Sequence, residues 1–111
     1  MTTAILQNRT ALVTGGSRGI GAAIVRSLAQ AGAAVAINYR ERAGEADALV
    51  KSIDEIGGRA IAIAADVSQS DAVAQMVKRV NSDLEQIDIL IQSAGARQET
   101  SRVESFPVSD D

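Results

Sequence analysis

The sequence contains no cysteine, no histidine and no tryptophan, and its two aromatic residues are Tyr39 and Phe106. The missing cysteine and histidine exclude disulfides, cysteine nucleophiles, Cys/His zinc sites and His-based catalytic triads. With 11 basic and 14 acidic residues, the formal net charge is -3, which argues against nucleic acid as the main partner. Without a signal peptide or an apolar run long enough to cross a bilayer, we expect no membrane partner and a cytoplasmic location.

Short apolar runs alternate with longer amphipathic stretches along the 111 residues. The apolar runs predict buried strands, and apolar residues at three- and four-residue spacing predict helices. Strands that alternate with helices predict an α/β fold, a Rossmann-like three-layer parallel sheet of about four strands with three helices. The predicted strands cover 10–14, 34–39, 59–65 and 87–91, and the intervening segments are the predicted helices. The polar stretch 96–111 is predicted to be a loop or tail.

Helix faces and helix ends can be predicted from the same pattern. Gly32 follows the first predicted helix where a C-cap is expected, and Ser68-x-x-Asp71 resembles a capping box that starts the third helix. The apolar residues predicted to form the buried faces of the first two helices are Ile20, Ala23, Ile24, Leu28 and Ala31 in the first, and Ala46, Leu49, Ile53 and Ile56 in the second.

A glycine cluster joins the first predicted strand to the first helix, in the segment Thr14-Gly-Gly-Ser-Arg-Gly-Ile-Gly21. A side chain in such a turn would keep the backbone from approaching a pyrophosphate, and free N–H groups at the helix start favour an anion. The alternative is a plain strand-to-helix turn that uses glycine for geometry alone. Because the cluster lies at the first strand-to-helix turn, we favour dinucleotide binding. The candidate contacts are Gly15, Ser17, Arg18, Gly19, Ile20 and Gly21.

This cluster resembles the T-G-x-x-x-G-x-G signature of the classical short-chain dehydrogenases/reductases. Asp66-Val67 resembles the adenine-contacting Asp-Val of that family, and residues 89–95 resemble its L-V-N-N-A-G motif. The motifs follow the family order, and the matching covers residues 9–95. The sequence as a whole looks most like the 3-oxoacyl-carrier-protein reductase branch of the family. The resemblance implies strand order 3-2-1-4, a dinucleotide-binding region over 1–95, and hydride transfer between NADP(H) and a carbonyl or alcohol.

The end of the second predicted strand, Asn38-Tyr39-Arg40, bears on the choice of cofactor. A carboxylate there would hold the ribose hydroxyls of NAD and would repel a 2′-phosphate. Asn38 is neutral, Arg40 is basic, and Arg18 adds a second cation, so we favour NADP(H) over NAD(H). The alternative is that both arginines are solvated surface charges. Tyr39 is predicted to be a packing or ribose-edge residue.

Four more residues complete the candidate site: Asp66 and Val67 after the third strand, and Ala94 and Gly95 after the fourth. The resemblance implies that Asp66 accepts a hydrogen bond from the adenine amino group, with helix capping as the alternative. Ala94 and Gly95 are small residues at the strand ends where ligands of open α/β sheets bind. The neighbouring Gln-Ser departs from the family's Asn-Asn, which leaves the local geometry open.

The residues that transfer protons in the family have no counterpart among these 111 residues. The family uses a Ser and a Tyr-x-x-x-Lys pair, whereas the single tyrosine here, Tyr39, is followed four residues later by Ala43. We therefore assign no catalytic residue and predict the truncated, N-terminal NADP(H)-binding portion of an oxidoreductase. The alternatives are a non-catalytic dinucleotide-binding or pairing module and a functionless remnant. Because the family pairs its fourth strand with a fifth, the open edge of the fourth strand is expected to favour self-association.

Overall fold

The computed structural model describes residues 5–17 and 19–93. Four strands form one parallel sheet in the order β3-β2-β1-β4, which confirms the predicted α/β fold and its strand order. Arg18, Ala94, Gly95 and the stretch 96–111 lie outside the described residues. The elements, in chain order, are β1 (Thr10–Thr14), α1 (Gly19–Gln30), β2 (Ala34–Tyr39), α2 (Ala43–Glu55), β3 (Arg59–Ala64), α3 (Ser70–Asp83) and β4 (Ile89–Gln92).

The central strands β1 and β2 are buried because helices cover both faces of the sheet. Helices α1 and α2 pack on one face, where Val25 and Ile53 contact the core, and α3 packs on the other through Met76 and Val80. All five residues of β1 are buried, which explains the three consecutive apolar residues at its centre. Each fully buried large aliphatic side chain contributes about 1.5–3 kcal/mol to folding. The core therefore fixes the position of β1, from whose end the glycine cluster starts.

The buried face of α1 matches the predicted one only in part. The predicted residues Ile24 and Leu28 are half-buried against the core, but Ile20 is 72% exposed. The fully buried residues of α1 are Gly21, Ala22, Val25 and Ala29. The helix lies so close to the turn before it that a Cβ on Gly16 would lie 3.1 Å from Cγ2 of Val25. At its first turn this close approach leaves no room for a side chain at position 21, whereas larger residues further along the helix pack against the core.

Gly32 and Gly57 end α1 and α2 with φ angles of 101° and 83°. After each helix, the N–H of the residue that follows the glycine donates to the carbonyl five residues earlier, and the glycine N–H donates to the carbonyl three residues earlier. This is the Schellman motif, and it confirms the predicted C-cap at Gly32. Ile56, predicted on the buried face of α2, lies beyond the helix end and is 59% exposed.

Helix α3 and strand β4 both begin later than the sequence pattern indicates. The N–H and hydroxyl of Ser68 both donate to Oδ1 of Asp66, at 3.0 and 2.7 Å, so Ser68 does not form the predicted capping box and α3 begins two residues further on. The N–H of Ile87 donates to Oδ1 of Asn81 at 2.9 Å instead of to β1, and β4 begins at Ile89. Side-chain acceptors thus set both boundaries.

Candidate functional site

The carboxyl ends of the four parallel strands meet at one edge of the sheet, and the described candidate residues lie there. β1 leads into the glycine cluster, β2 ends at Tyr39 and leads to Arg40, β3 is followed by Asp66, and β4 is followed by Ser93. In open parallel sheets, this edge is where ligands bind. The fold therefore brings together residues that lie far apart in the sequence.

The turn after β1 is held by β2. Gly15 has a φ of 65°, and its N–H donates to Oδ1 of Asn38 at 3.1 Å. The N–H of Gly16 donates to the backbone carbonyl of Asn38 at 3.0 Å. Because both N–H groups have acceptors within the protein, Gly15 and Gly16 shape the turn, and the N–H groups that remain open to an anion lie further along the chain.

The same turn is held from the other side by Ser93. The Ser93 hydroxyl donates to the carbonyl of Thr14 at 2.6 Å and to that of Gly15 at 3.2 Å, and its N–H also donates to the Thr14 carbonyl. The Gln-Ser departure therefore still supports the turn through its serine. Oε1 of Gln92 is buried and has no hydrogen-bond partner among the described residues.

The start of α1 faces outward at this edge. Gly19 and Ile20 are exposed, and the first turn of the helix has no acidic residue. The first N–H groups of any α-helix lack intrahelical acceptors, and the helix dipole places a partial positive charge there. These N–H groups can therefore bind an anion such as a pyrophosphate.

Gly21 lets the helix approach the turn. A Cβ on Gly21 would collide with the carbonyl oxygen of Gly15, and it would lie 2.9 Å from Cα of Gly16 and 2.8 Å from Oγ of Ser93. Two of these three atoms belong to the backbone and cannot move away without distorting the turn. The close contact requires glycine at position 21.

The Asn38 side chain connects the glycine turn to the end of β3. Asn38 is 2% exposed, and its Nδ2 donates to the carbonyls of Ala65 at 3.1 Å and Ile63 at 3.4 Å while Oδ1 accepts from Gly15. From the sequence, Asn38 is a candidate cofactor-binding residue because it is neutral where NAD-binding proteins have a carboxylate, and that pattern did not indicate this structural role. The available signal was an amide at the end of an otherwise apolar strand.

Arg40 and Asp66 face each other across the ends of β2 and β3. Their closest atoms, Nη2 and Oδ2, lie 3.5 Å apart, and the side chains are 69% and 34% exposed. The hydroxyl and N–H of Ser68 hold the pKa of Asp66 below its ordinary value of 3.8, and Arg40 adds a smaller attraction. Asp66 is therefore ionised at neutral pH. Its carboxylate binds Ser68 before α3 begins, so Asp66 does not cap that helix as the alternative had it.

Tyr39 precedes Arg40, Val67 follows Asp66, and the two apolar side chains pack on opposite faces of the sheet. Tyr39 is half-buried against the core on the α1 and α2 side of the sheet, and its carbonyl accepts the N–H of Ala65 at 3.0 Å. Val67 is half-buried against the core on the α3 side. The packing role predicted for Tyr39 is confirmed, and a contact of either residue with a cofactor stays a prediction.

A hollow of about 670 Å³ lies at the opposite edge of the sheet, near the ends of α1 and α2, and contains none of the predicted site residues. Groups around it already have partners within the protein: Arg59 donates to the carbonyl of Asp83, and the N–H of Thr10 donates to Oδ2 of Asp88. The candidate site at the carboxyl edge is therefore separate from this hollow. Within residues 5–17 and 19–93, no helix is long and apolar enough to span a membrane.

Comparison with known proteins identifies a family. The family model described as short chain dehydrogenase matches residues 9–110. The chain is 42% identical over 95 residues to a 3-oxoacyl-[acyl-carrier-protein] reductase from Synechocystis sp., covering 86% of this chain and 38% of that protein. It is 44% identical over 87 residues to the short-chain dehydrogenase/reductase homolog YusS from Bacillus subtilis, covering 78% of this chain and 80% of that protein.

Solved structures give the same result. A dehydrogenase/reductase from Sinorhizobium meliloti is 44% identical with a TM-score of 0.82, over 96% of this chain and 42% of that one. A short chain dehydrogenase from Burkholderia cenocepacia, solved in complex with NADP, is 52% identical with a TM-score of 0.75, over 78% of this chain and 35% of that one. The chain spans little more than a third of these relatives, apart from YusS. This chain belongs to the short-chain dehydrogenase/reductase family.

Proposed function

We propose that this chain is the N-terminal, NADP(H)-binding portion of a short-chain oxidoreductase, with its dinucleotide-binding region over residues 1–95. The observation that carries the proposal is the exposed start of α1, which stands at the carboxyl edge of the sheet beside a turn held by two neighbouring strands. The NADP complex of the Burkholderia cenocepacia relative supports this class of cofactor.

The pyrophosphate would be held by backbone N–H groups around the start of α1. The N–H groups of Gly15 and Gly16 already donate to Asn38. The described candidates for the contact are therefore Ser17, Gly19, Ile20 and Gly21. The helix dipole adds to the attraction for an anion. Arg18 would add a positive charge in this segment. Glycine at 19 would keep a side chain away from the phosphates, and glycine at 21 lets the helix start lie close to the turn.

The adenosine end would lie across the ends of β2 and β3. Arg40 is 69% exposed, so its guanidinium can turn from Asp66 to a 2′-phosphate, which carries more negative charge than a carboxylate. Asp66 would accept a hydrogen bond from the adenine amino group, with Tyr39 and Val67 beside it. Ala94 and Gly95 would leave room for the cofactor after β4. Of these contacts, that of Arg40 with the 2′-phosphate favours NADP(H) over NAD(H).

The bound cofactor would supply the hydride, exchanged with a carbonyl or alcohol substrate. No residue among the 111 matches the family's Tyr-x-x-x-Lys pair, so we propose no catalytic residue. Binding without turnover is the second candidate function. The length of the Bacillus subtilis homolog favours this candidate. An 87-residue match covers 80% of that protein, so it is about as short as this chain. We retain the cytoplasm as the proposed location.

We also propose that β4 mediates self-association. In the part of the chain that the structure describes, β4 ends the sheet, and its apolar residues Ile89, Leu90 and Ile91 are half-buried. An edge strand with apolar side chains can pair with a strand of another molecule. Light scattering at several protein concentrations is expected to show a mass that rises with concentration. A constant monomer mass would reject this part of the proposal.

Calorimetric titration with NADP⁺ and with NAD⁺ tests the cofactor assignment. We expect tighter binding of NADP⁺. Arg40→Ala should weaken NADP⁺ binding about tenfold, the usual effect of one charge-assisted contact with a phosphate, and should change NAD⁺ binding little. Arg42→Ala is the matched control, since Arg42 is 54% exposed and lies 3.8 Å from Glu45.

Three results would contradict the assignment: tighter binding of NAD⁺, an equal loss for the two arginine variants, or no binding of either dinucleotide. A separate assay follows NADPH oxidation with a panel of ketones. Turnover above background would show that side chains among the 111 residues transfer the proton. Binding without turnover would favour the second candidate function.

A further inference from the structure

Asn38 is a buried polar residue, and both the oxygen and the nitrogen of its side-chain amide form hydrogen bonds. It is 2% exposed, Oδ1 accepts the N–H of Gly15, and Nδ2 donates to the carbonyls of Tyr39, Ile63 and Ala65. A buried amide group without partners would cost folding free energy, but here both ends have partners. The amide therefore joins β1, β2 and β3 at the edge that we propose binds the cofactor.

We propose that Asn38 is a positioning residue, which holds the glycine turn in its binding geometry without contacting the cofactor itself. This inference rests on the proposed function, because it names a residue that supports the same site. Asn38 contributes the only side-chain acceptor that the structure, over its described residues, gives to the Gly15 N–H. Ser93 holds the carbonyls of the same turn from β4.

The chemistry of the amide explains why asparagine suits this position. The side chain must accept a hydrogen bond on one atom and donate on the other, within a buried space between three strands. Aspartate could accept from Gly15, but it would turn an oxygen without a proton toward the carbonyl oxygens of Tyr39, Ile63 and Ala65. An aliphatic residue would leave the Gly15 N–H and these carbonyls without this partner.

The position of Asn38 also joins the two ends of the proposed cofactor site. The Gly15 N–H belongs to the turn before the pyrophosphate segment, and the Ala65 carbonyl belongs to the residue before Asp66. Loss of the side chain would free both, so the pyrophosphate and adenosine contacts would lose their relative placement. Preorganisation of this kind raises affinity without adding a contact to the ligand.

Amide hydrogen exchange by NMR, on the chain without ligand, gives a direct test. In the unsubstituted protein, we expect Gly15 and Gly16 to be protected and Gly19 and Ile20 to exchange fast. In Asn38→Ala, Gly15 should lose protection about tenfold, because its acceptor is gone. Gly16 should stay protected, because it donates to the backbone carbonyl of residue 38, which the substitution keeps.

Titration with NADP⁺ gives the second readout. After correction for the folded fraction, we expect Asn38→Ala to bind about tenfold more weakly, as loss of a hydrogen bond in the supporting turn predicts. Asn81→Ala is the matched control. It removes an asparagine that also accepts a backbone N–H, that of Ile87 at 2.9 Å, but at the opposite edge of the sheet. It should bind NADP⁺ as the unsubstituted protein does.

The outcomes separate this inference from the function on which it rests. Fast exchange of Gly15 in the unsubstituted protein would overturn the inference even if Asn38→Ala does not fold. Unchanged NADP⁺ affinity in folded Asn38→Ala, or an equal loss in Asn81→Ala, would also overturn it. If the unsubstituted protein binds neither NADP⁺ nor NAD⁺, the proposed function itself fails.

Discussion

A glycine with a positive φ angle lies at each edge of the sheet, at the start of a helix at one edge and after the end of a helix at the other. Gly19 at the carboxyl edge and Gly57 at the amino edge have φ angles of 62° and 83°, and a Cβ on either would have no atom within 4 Å. Gly57 ends α2, where helix carbonyls and a partial negative charge collect, whereas Gly19 begins α1, where N–H groups and a partial positive charge collect. An anion is therefore favoured at the carboxyl edge, although the hollow of about 670 Å³ lies at the amino edge.

Gly21→Ala is expected to have the largest effect on stability and on binding at the carboxyl edge. Its Cβ would collide with the carbonyl of Gly15 and lie 2.9 Å from Cα of Gly16. Overpacking against backbone is expected to cost about 3 kcal/mol, a large part of the about 5–15 kcal/mol that stabilises a typical domain. Urea unfolding measures the loss, and NADP⁺ binding should fall as well, because the helix start moves.

Gly44→Ala is the matched control for that substitution. Gly44 lies in α2, and a Cβ there would have no atom within 4 Å. Alanine should raise the unfolding free energy by about 0.5–1 kcal/mol, because glycine loses more conformational freedom in a helix. If the two variants unfold alike, the close contact at Gly21 does not constrain the fold.

A matched pair, Gly19→Ala and Gly57→Ala, separates stability from binding. Each substitution forces an L-residue into the left-handed region without a collision, so each should cost about 1–2 kcal/mol. We expect similar urea midpoints for the two variants. NADP⁺ binding by the folded protein should weaken only in Gly19→Ala, because only Gly19 lies at the helix start. Equal losses of affinity would remove the distinction between the edges.

The smallest expected effect concerns acid stability at the carboxyl edge. The pKa of Asp66 is lowered from 3.8, chiefly by the Ser68 hydroxyl and N–H. A lowered pKa in the folded state means that the ionised carboxylate stabilises the protein above pH 3.8, and that this contribution is lost as pH falls through the folded-state value.

Unfolding at a series of acid pH values should therefore show a shallower loss of stability in Asp66→Asn. Asp47→Asn removes the same charge from the exposed face of α2 and controls for net charge. An unchanged acid dependence in Asp66→Asn would show that its Ser68 contacts do not persist in solution.

Strand positions could be predicted because their signals are local. β1 and β2 are apolar runs between glycine and polar residues, and both have the predicted bounds. The face of α1 was predicted correctly at Ile24 and Leu28 and wrongly at Ile20, because periodicity gives large side chains more weight than small ones such as the buried Ala22. A close contact between helix and sheet reverses that preference, and the contact is a property of the packed structure.

The candidate site could be predicted from the sequence, but the contacts that support it could not. The glycine cluster indicated a binding site at the carboxyl edge because that prediction needs only the order of elements along the chain, a strand followed by a turn and a helix. The role of Asn38 depends on β2 lying between β1 and β3, and that of Ser93 depends on β4 lying beside β1. Contacts across strands far apart in sequence have no local signal, so sequence reasoning missed both.

An NMR titration of the ¹⁵N-labelled chain with NADP⁺ tests the central claim most directly, because it reports on both edges in one sample. The account predicts that the amide signals of Gly19, Ile20 and Gly21 shift strongly and saturate, while those of Gly57 and Gly58 at the amino edge stay in place. Shifts concentrated at Gly57 and Gly58, or no saturable shift at Gly19 to Gly21, would contradict it.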